Sequence, residues 1–315
     1  MNHAILLGLL SSLFFAATFV LNRSMSLSGG DAWWSAALRF VFMLPMLYLL
    51  LTRRSNRRNN QRNNLQSTQQ SNQSAVYREI QRNPLQWLLW SSVGFGLFYL
   101  PLTLSSDYAA SWLIASSWQL TIIAGILLTP LFGQKIPLKN LFFSCVIVIG
   151  VLLIQLDNLR TLSWIESLYP LLLIIIAAFA YPLGNRKMMQ LVGNRLSTQQ
   201  RVYGMVLCSM PFWLVTMLVA AINSGLPPVA QLSQSFLVAL FSGVIATLLF
   251  FKATELVKHN VKQLAVIEAT QAGEIIFTLI GGVLLLSDPI PSGLAVIGLV
   301  VVILGIFING FSTKA

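Results

Sequence analysis

The stretch AVIEATQAGEIIFTLIGG, residues 265–282, decides how this chain is read. It is apolar enough to be buried, yet it carries Glu268 and Glu274. The rest of the sequence says what it is buried in. The 315 residues are 56% hydrophobic and 9% charged, against about 25% charged in ordinary soluble proteins. Apolar runs of about 20 residues recur along the chain, the length a helix needs to cross a ~30 Å hydrocarbon core. The sequence therefore specifies an all-α polytopic membrane protein in contact with the lipid bilayer.

Ten transmembrane helices are expected, near residues 3–22, 32–51, 85–104, 108–129, 140–156, 164–184, 201–222, 233–251, 263–286 and 291–310. The first run, MNHAILLGLLSSLFFAATFVL, lacks the basic start of a signal peptide and exceeds its apolar core, so it reads as a retained span. An even number of spans puts both termini on one side. With that side cytoplasmic, seventeen of the twenty Lys and Arg lie on inner loops or the tail; Arg23 and Arg160 lie outside and Arg39 within a span. Such a bias sets orientation by the positive-inside rule, giving a multi-pass cell (inner) membrane protein with cytoplasmic termini. It also accounts for the net charge of +11 without a nucleic-acid partner. The basic stretch SNRRNNQRNNLQSTQQSNQS (55–74) has no interleaved aromatics on which bases could stack. It reads as part of a disordered cytoplasmic insert, 52–84, that touches anionic lipid. Cys145 and Cys208 have no paired spacing, His3 and His259 are far apart, and neither HExxH nor a nucleophile–base pair stands out. Neither an enzyme nor a metal or cofactor site is expected.

The chain repeats itself. FAATFVLNRSM (15–25) parallels AFAYPLGNRKM (178–188), MLPMLYLLL (43–51) parallels SMPFWLVTML (209–218), and LFYLPLTL (97–104) parallels LLFFKATE (248–255). An offset of 152 places Gln119 on Gln271 and Pro137 on Pro289. The halves, 1–156 and 164–310, hold five spans each. Five is odd, so the second inserts upside down relative to the first. Inverted repeats characterise alternating-access carriers, whose site lies at mid-membrane between the halves.

NRSMSLSGGDAWWSAALRFVFMLP (22–45) and EATQAGEIIFTLIGGVLLL (268–286) resemble the multidrug resistance efflux transporter branch of the drug/metabolite transporter superfamily. The resemblance covers nearly the whole chain outside the 55–74 insert. It implies a ten-helix fold with a central cavity and export of small molecules.

Several polar residues fall at mid-membrane depth: Glu274 in the ninth span, Arg39 in the second, Gln119 and Trp118 in the fourth, and Tyr99 in the third. Glu268 lies about 9 Å nearer the cytoplasm. With Gln271 and Glu274 it forms an i, i+3, i+6 stripe. A charge at that depth costs at least about 2.5–3.5 kcal/mol on insertion scales, so it should face the interior and find a partner. Burial disfavours the charged form of a carboxyl group. A carboxyl in an alternately exposed cavity can therefore hold a proton in one state and exchange it for a cationic substrate in the other. This reading gives a proton-coupled exporter of cationic or lipophilic drugs or metabolites. Glu274 is the first choice for the exchange site and Glu268 an inner relay, with Trp118 and then Tyr99 offering ring faces to an organic cation.

Two alternatives stay open. Arg39 could bind an anionic or zwitterionic substrate such as an amino acid, or could pair with Glu274 as a lock in a scaffold that transports nothing. In the repeat, Arg39 aligns near Met205, and Glu268 and Glu274 align with Ser116 and Ile122, so fold symmetry does not require these charges. Trp33, Trp34, Trp87 and Trp164, at span starts, read as interfacial anchors. Pro45, Pro101, Pro182 and Pro211 read as hinges, and Gly94, Gly96, Gly281, Gly282, Gly298 and Gly305 as points of close helix approach.

Overall fold

The computed structural model describes residues 2–60, 72–159, 164–257, 261–291 and 293–312, and among them there is no strand. In chain order the helices are α1 (Asn2–Leu27), α2 (Ala32–Asn60), α3 (Asn72–Arg82), α4 (Pro84–Ser91), α5 (Leu97–Leu104), α6 (Ser111–Trp118), α7 (Leu120–Leu127) and α8 (Leu138–Asn158). There follow α9 (Trp164–Val192), α10 (Thr198–Ser224), α11 (Val229–Val238), α12 (Thr247–Val257), α13 (Val261–Ala269), α14 (Gly273–Leu286) and α15 (Gly293–Ser312). Helix is the form these runs must take, because hydrocarbon offers backbone N–H and C=O groups no partner and a helix satisfies them within itself.

Eight helical segments are long and apolar enough to cross a membrane: Asn2–Leu27, Ala32–Thr52, Pro84–Asp107, Leu138–Asp157, Ser167–Val192, Thr198–Ser224, Val229–Val257 and Val266–Leu286. The other two expected spans are shorter apolar helices, Ser111–Leu127 and Gly293–Asn309. The outside of the bundle is studded with exposed Leu and Ile, among them Leu6, Leu214, Ile222, Leu284 and Leu285. A water-facing surface would not carry such a skirt.

Two pairs of helices run along one another, α8 with α15 and α2 with α10. Helix α1 packs on α14 and α12, whereas α9 packs on α5 and α7. Glycines set the closest crossings. A methyl group at Gly184 of α9 would collide with the backbone of Gly94, and one at Gly298 of α15 would meet the Gly150 carbonyl oxygen at 2.6 Å.

The interruptions in these helices differ from those expected. Pro45, Pro182 and Pro211 lie inside unbroken α2, α9 and α10, and Pro101 lies inside α5. The irregular segments are instead π-helical at Ser92–Gly96 and Ala239–Ala246, and 3-10 at Thr270–Ala272, with a break at Gln119 between α6 and α7. They fall in pairs on the repeat. The offset of 152 that relates Gln119 to Gln271 brings the first π segment onto the end of the second.

The insert also departs from its reading. Residues 61–71 lie outside the described residues, but α2 continues to Asn60 and α3 folds as a helix. The reason is a small core of its own: Val76 is fully buried, and Glu79 accepts from Arg195 Nε at 2.8 Å and pairs with Arg82. Trp87 belongs to this core rather than to an interface, since it is fully buried and donates Nε1–H to the Glu79 carbonyl at 3.0 Å. Trp34 is likewise buried and donates to the Gly225 carbonyl at 2.8 Å. Trp33 is partly buried against the same cluster, and the Trp164 side chain lies outside the described residues.

The α5–α9 region depends on backbone contact between Gly94 and Gly184. Gly184→Ala is expected to destabilise the detergent-solubilised protein by about 1–3 kcal/mol, read as a lowered unfolding midpoint. Gly125→Ala should lose less, because its new methyl meets only the end of the Arg186 side chain, at 3.2 Å.

Candidate functional site

The break at Thr270–Ala272 determines where Glu274 sits. Below it, α13 ends; above it, α14 restarts at Gly273, and Glu274 occupies the first turn of the new helix. The backbone stays right-handed through the turn, and the Gly273 N–H bonds back to the carbonyls of Thr270 and Gln271, so the turn tightens the helix at that point without opening it. Helix α1 backs the break closely: a methyl at Gly273 would lie 2.7 Å from Ser12 Oγ, and one at Gly8 would strike Thr270. Glu274 is buried, and its carboxyl is hydrogen-bonded by Gln119, the residue at the equivalent break in the other half of the chain. Two helix interruptions thus converge on one carboxyl group.

Arg39 is also buried, on α2. One terminal nitrogen donates to Ser242 Oγ at 3.0 Å and the other to Thr18 Oγ1 at 3.5 Å. Its guanidinium lies over the Tyr99 ring, 4.1 Å from the centroid, and Nε has no partner. Tyr99 is fixed from beneath by Asn22, whose amide donates to the phenol at 3.1 Å, and by an edge contact with Phe40, itself stacked on Trp213 at 4.5 Å. No ion pair joins Arg39 to Glu274. The pairs formed among the described residues are Arg23–Asp288, Arg82–Glu79 and Arg195–Glu79. Arg39 is therefore held by hydroxyls and ring faces, and the lock envisaged between α2 and the ninth span is absent.

Trp118 belongs to a cluster of three rings with Phe98 and Tyr181. The centroids are 5.0 Å apart for Phe98–Trp118, 4.9 Å for Phe98–Tyr181 and 5.7 Å for Trp118–Tyr181. Tyr181 packs against both other rings, while 39% of its own surface is open. Sequence reasoning missed Tyr181, Phe98, Ser242 and Thr18. The repeat held one usable signal, because Tyr181 aligns with Thr18, the residue that touches Arg39.

Along the ninth span, exposure falls from Glu268, which is exposed, through half-buried Gln271 to buried Glu274. Gln271 Nε2 is buried without a hydrogen-bond partner. A 3-10 turn brings residues three apart into line, so the break keeps Gln271 and Glu274 on a common side. At the other end, a polar cluster joins α1, α6 and the segment after α14. Asp288 accepts from Ser111 N at 2.8 Å and Ser111 Oγ at 2.6 Å, and lies 3.6 Å from Arg23, which donates to the Ser106 carbonyl at 2.7 Å. Close by in the chain fold, Gln231 donates to the Asp31 carbonyl and Ser224 to its carboxylate.

A membrane bundle with buried charges and an aromatic cluster suits a carrier, and comparison with known proteins bears on this directly. The family model described as "EmrE: Putative multidrug resistance efflux transporter" matches residues 2–315. The chain belongs to this family. It is a family of transporters rather than enzymes, and membership agrees with the resemblance carried by residues 22–45 and 268–286. The chain is similar to "Uncharacterized protein YjlA" of Bacillus subtilis (strain 168), with 46% identity over 99% of this chain and 95% of the relative. It is also similar to the "Uncharacterized 42.1 kDa protein in intracellular alkaline protease 3'region" of Shouchella clausii, with 42% identity over 86% of this chain and 70% of that protein. This EmrE-family chain is thus a multi-pass efflux transporter that works on small molecules within a lipid bilayer.

The separation of Arg39 from Glu274 has a measurable consequence. Breaking a buried ion pair costs about 3–5 kcal/mol, but Arg39→Ala should cost only about 1–2 kcal/mol, the worth of a ring contact and two hydrogen bonds to hydroxyls. A double-mutant cycle with Glu274→Gln should give a coupling below about 0.5 kcal/mol in unfolding experiments.

Proposed function

We propose that this transporter exports organic cations in exchange for protons, by alternating access, with Glu274 as the exchange site. The carrying observation is that Glu274 is buried at a mid-span helix break, bonded by Gln119 and outside any ion pair among the described residues. Such a carboxyl has two ways to settle its charge, a proton or a cationic guest. In the outward state it takes up a proton as the cation leaves. In the inward state the proton departs to the cytoplasm as the next cation binds. One positive charge replaces another at the same oxygens, so the site is never left with an uncompensated anion. Trp118, Phe98 and Tyr181 supply ring faces for the apolar body of the guest. Glu268, exposed nearer the inner side, draws cations toward the path, and Gln271 offers its unpaired amide beyond it.

The architecture in this reading is ten spans in two inverted halves, 1–156 and 164–310, with cytoplasmic termini. Its support is the packing. Exchanging each span with the one five places along turns α1 against the eighth and ninth spans into α9 against the third and fourth, and leaves α2–α10 and α8–α15 unchanged. The paired breaks at Gln119 and Gln271 and the paired π segments follow the same exchange. The Asp288–Ser111–Arg23 cluster acts as the outer closure.

A zwitterionic substrate such as an amino acid is the second reading. What favours it is Arg39, a buried cation with an unpartnered Nε and no carboxylate beside it. A guest carrying both charges would satisfy Arg39 and Glu274 together.

In proteoliposomes with an imposed pH gradient, one-for-one exchange should concentrate a monovalent lipophilic cation about tenfold per pH unit. Glu274→Gln should insert and fold but show no gradient-driven accumulation, and Glu268→Gln should retain it at a reduced initial rate. Full accumulation by Glu274→Gln would remove the residue from the mechanism. Counter-movement of amino acids but not of lipophilic cations, abolished by Arg39→Ala, would select the second reading.

A further inference from the structure

At the end of the bundle opposite the Asp288 cluster there is a cavity of about 640 Å³ that plays no part in the exchange site. It lies where the ends of α7, α9 and α15 meet the loop leading into α8. Its size falls in the usual range for small-molecule sites, about 300–1,000 Å³. The lining is unusual in charge. Lys135 and Arg186 contribute two cations, Gln134, Asn140, Gln190 and Asn309 contribute amides, and no carboxylate is present among the lining residues.

Arg186 is anchored for this role. It donates to the Gly125 carbonyl through one terminal nitrogen, and its guanidinium lies 5.8 Å from the centre of the Phe132 ring. Gly125 backs it closely, a methyl there standing 3.2 Å from the second terminal nitrogen. Lys187 reaches the same ring, at 5.1 Å, adding positive potential at the rim. Beside the opening, Leu131, Leu138, Phe142 and Met189 are all exposed, with Leu138 74% and Phe142 72% open. A cationic recess lined in part by Ile122 and Ile126 and flanked by an apolar, lipid-facing skirt has the shape of a headgroup site with room for acyl chains alongside. A cationic substrate would be repelled there.

We propose that this cavity binds the phosphate headgroup of an anionic phospholipid from the leaflet at the basic end of the bundle. Arg186 and Lys135 hold the phosphate oxygens, and the four amides bond the glycerol hydroxyls. Basic recesses between membrane helices commonly take such headgroups, and a planar guanidinium matches phosphate geometry.

The test is binding to the full-length detergent-purified protein, by native mass spectrometry and by the shift in unfolding temperature, with phosphatidylglycerol, phosphatidylcholine and inorganic phosphate as separate probes. Phosphatidylglycerol should bind and stabilise, and the other two should not. Lys135→Gln, an exposed loop change that leaves the fold intact, should weaken phosphatidylglycerol about fivefold. Arg186→Gln should weaken it further, with Lys252→Gln, another exposed cation on α12, as the unchanged control. Equal binding of phosphatidylcholine, equal stabilisation by inorganic phosphate, or undiminished phosphatidylglycerol binding in Lys135→Gln would overturn the proposal. If Arg186→Gln fails to fold, the Lys135 comparison decides alone.

Discussion

A carboxyl group near the middle of a membrane helix costs at least about 2.5–3.5 kcal/mol on insertion scales, and the structure around Glu274 answers that cost locally. The helix tightens into a 3-10 turn just before it, and Glu274 follows in the first turn of α14. Gln119 reaches it from a second interruption, and α1 presents Gly8 and Ser12 so that the broken backbone can sit close. None of these features neutralises the group. They shelter it from lipid within the protein interior.

Arg39 solves the opposite problem by different means. A guanidinium is more weakly hydrated than an ammonium and tolerates ring faces, so Tyr99, with Ser242 and Thr18, suffices to hold it without an acidic partner. Two buried ionisable groups therefore share the interior without an ion pair between them. Irregular backbone at this depth is tolerated only where it is buried in protein or lines a cavity. The π segments and the interruptions at Gln119 and Gln271 lie about 152 residues apart in the sequence, whereas Arg39, Glu268 and Glu274 have no charged counterparts at that spacing.

Much of this was legible in the sequence. Every apolar run became a helix, because length and hydropathy alone govern whether backbone survives in hydrocarbon, although Ser111–Leu127 and Gly293–Asn309 came out shorter than a full span. The burial of Glu274, Gln119 and Arg39 followed from their place near the middle of apolar runs, where a polar side chain must face protein. The interruptions were not legible. A π or 3-10 segment shifts the hydrogen-bond register by one residue and leaves hydropathy unchanged, so attention fell on prolines that the helices simply absorb. Partners were also hidden. Tyr181 sits in an apolar run and Asn22 at a membrane edge, and nothing local says that one faces Trp118 and the other holds Tyr99. Position at a span start misled for Trp87, whose burial depends on α3, a helix inside a stretch too polar to be expected to fold.

The central claim, that Glu274 exchanges a proton for a cation, is tested most directly by proton release. Purified transporter in weakly buffered detergent is mixed with a lipophilic cation while a pH-sensitive dye is followed. The account predicts release of about one proton per cation bound, as expected when one carboxyl must ionise to receive its guest, and none from Glu274→Gln. Cation binding by the unaltered protein with no proton released, at any pH where it stays folded, would contradict it.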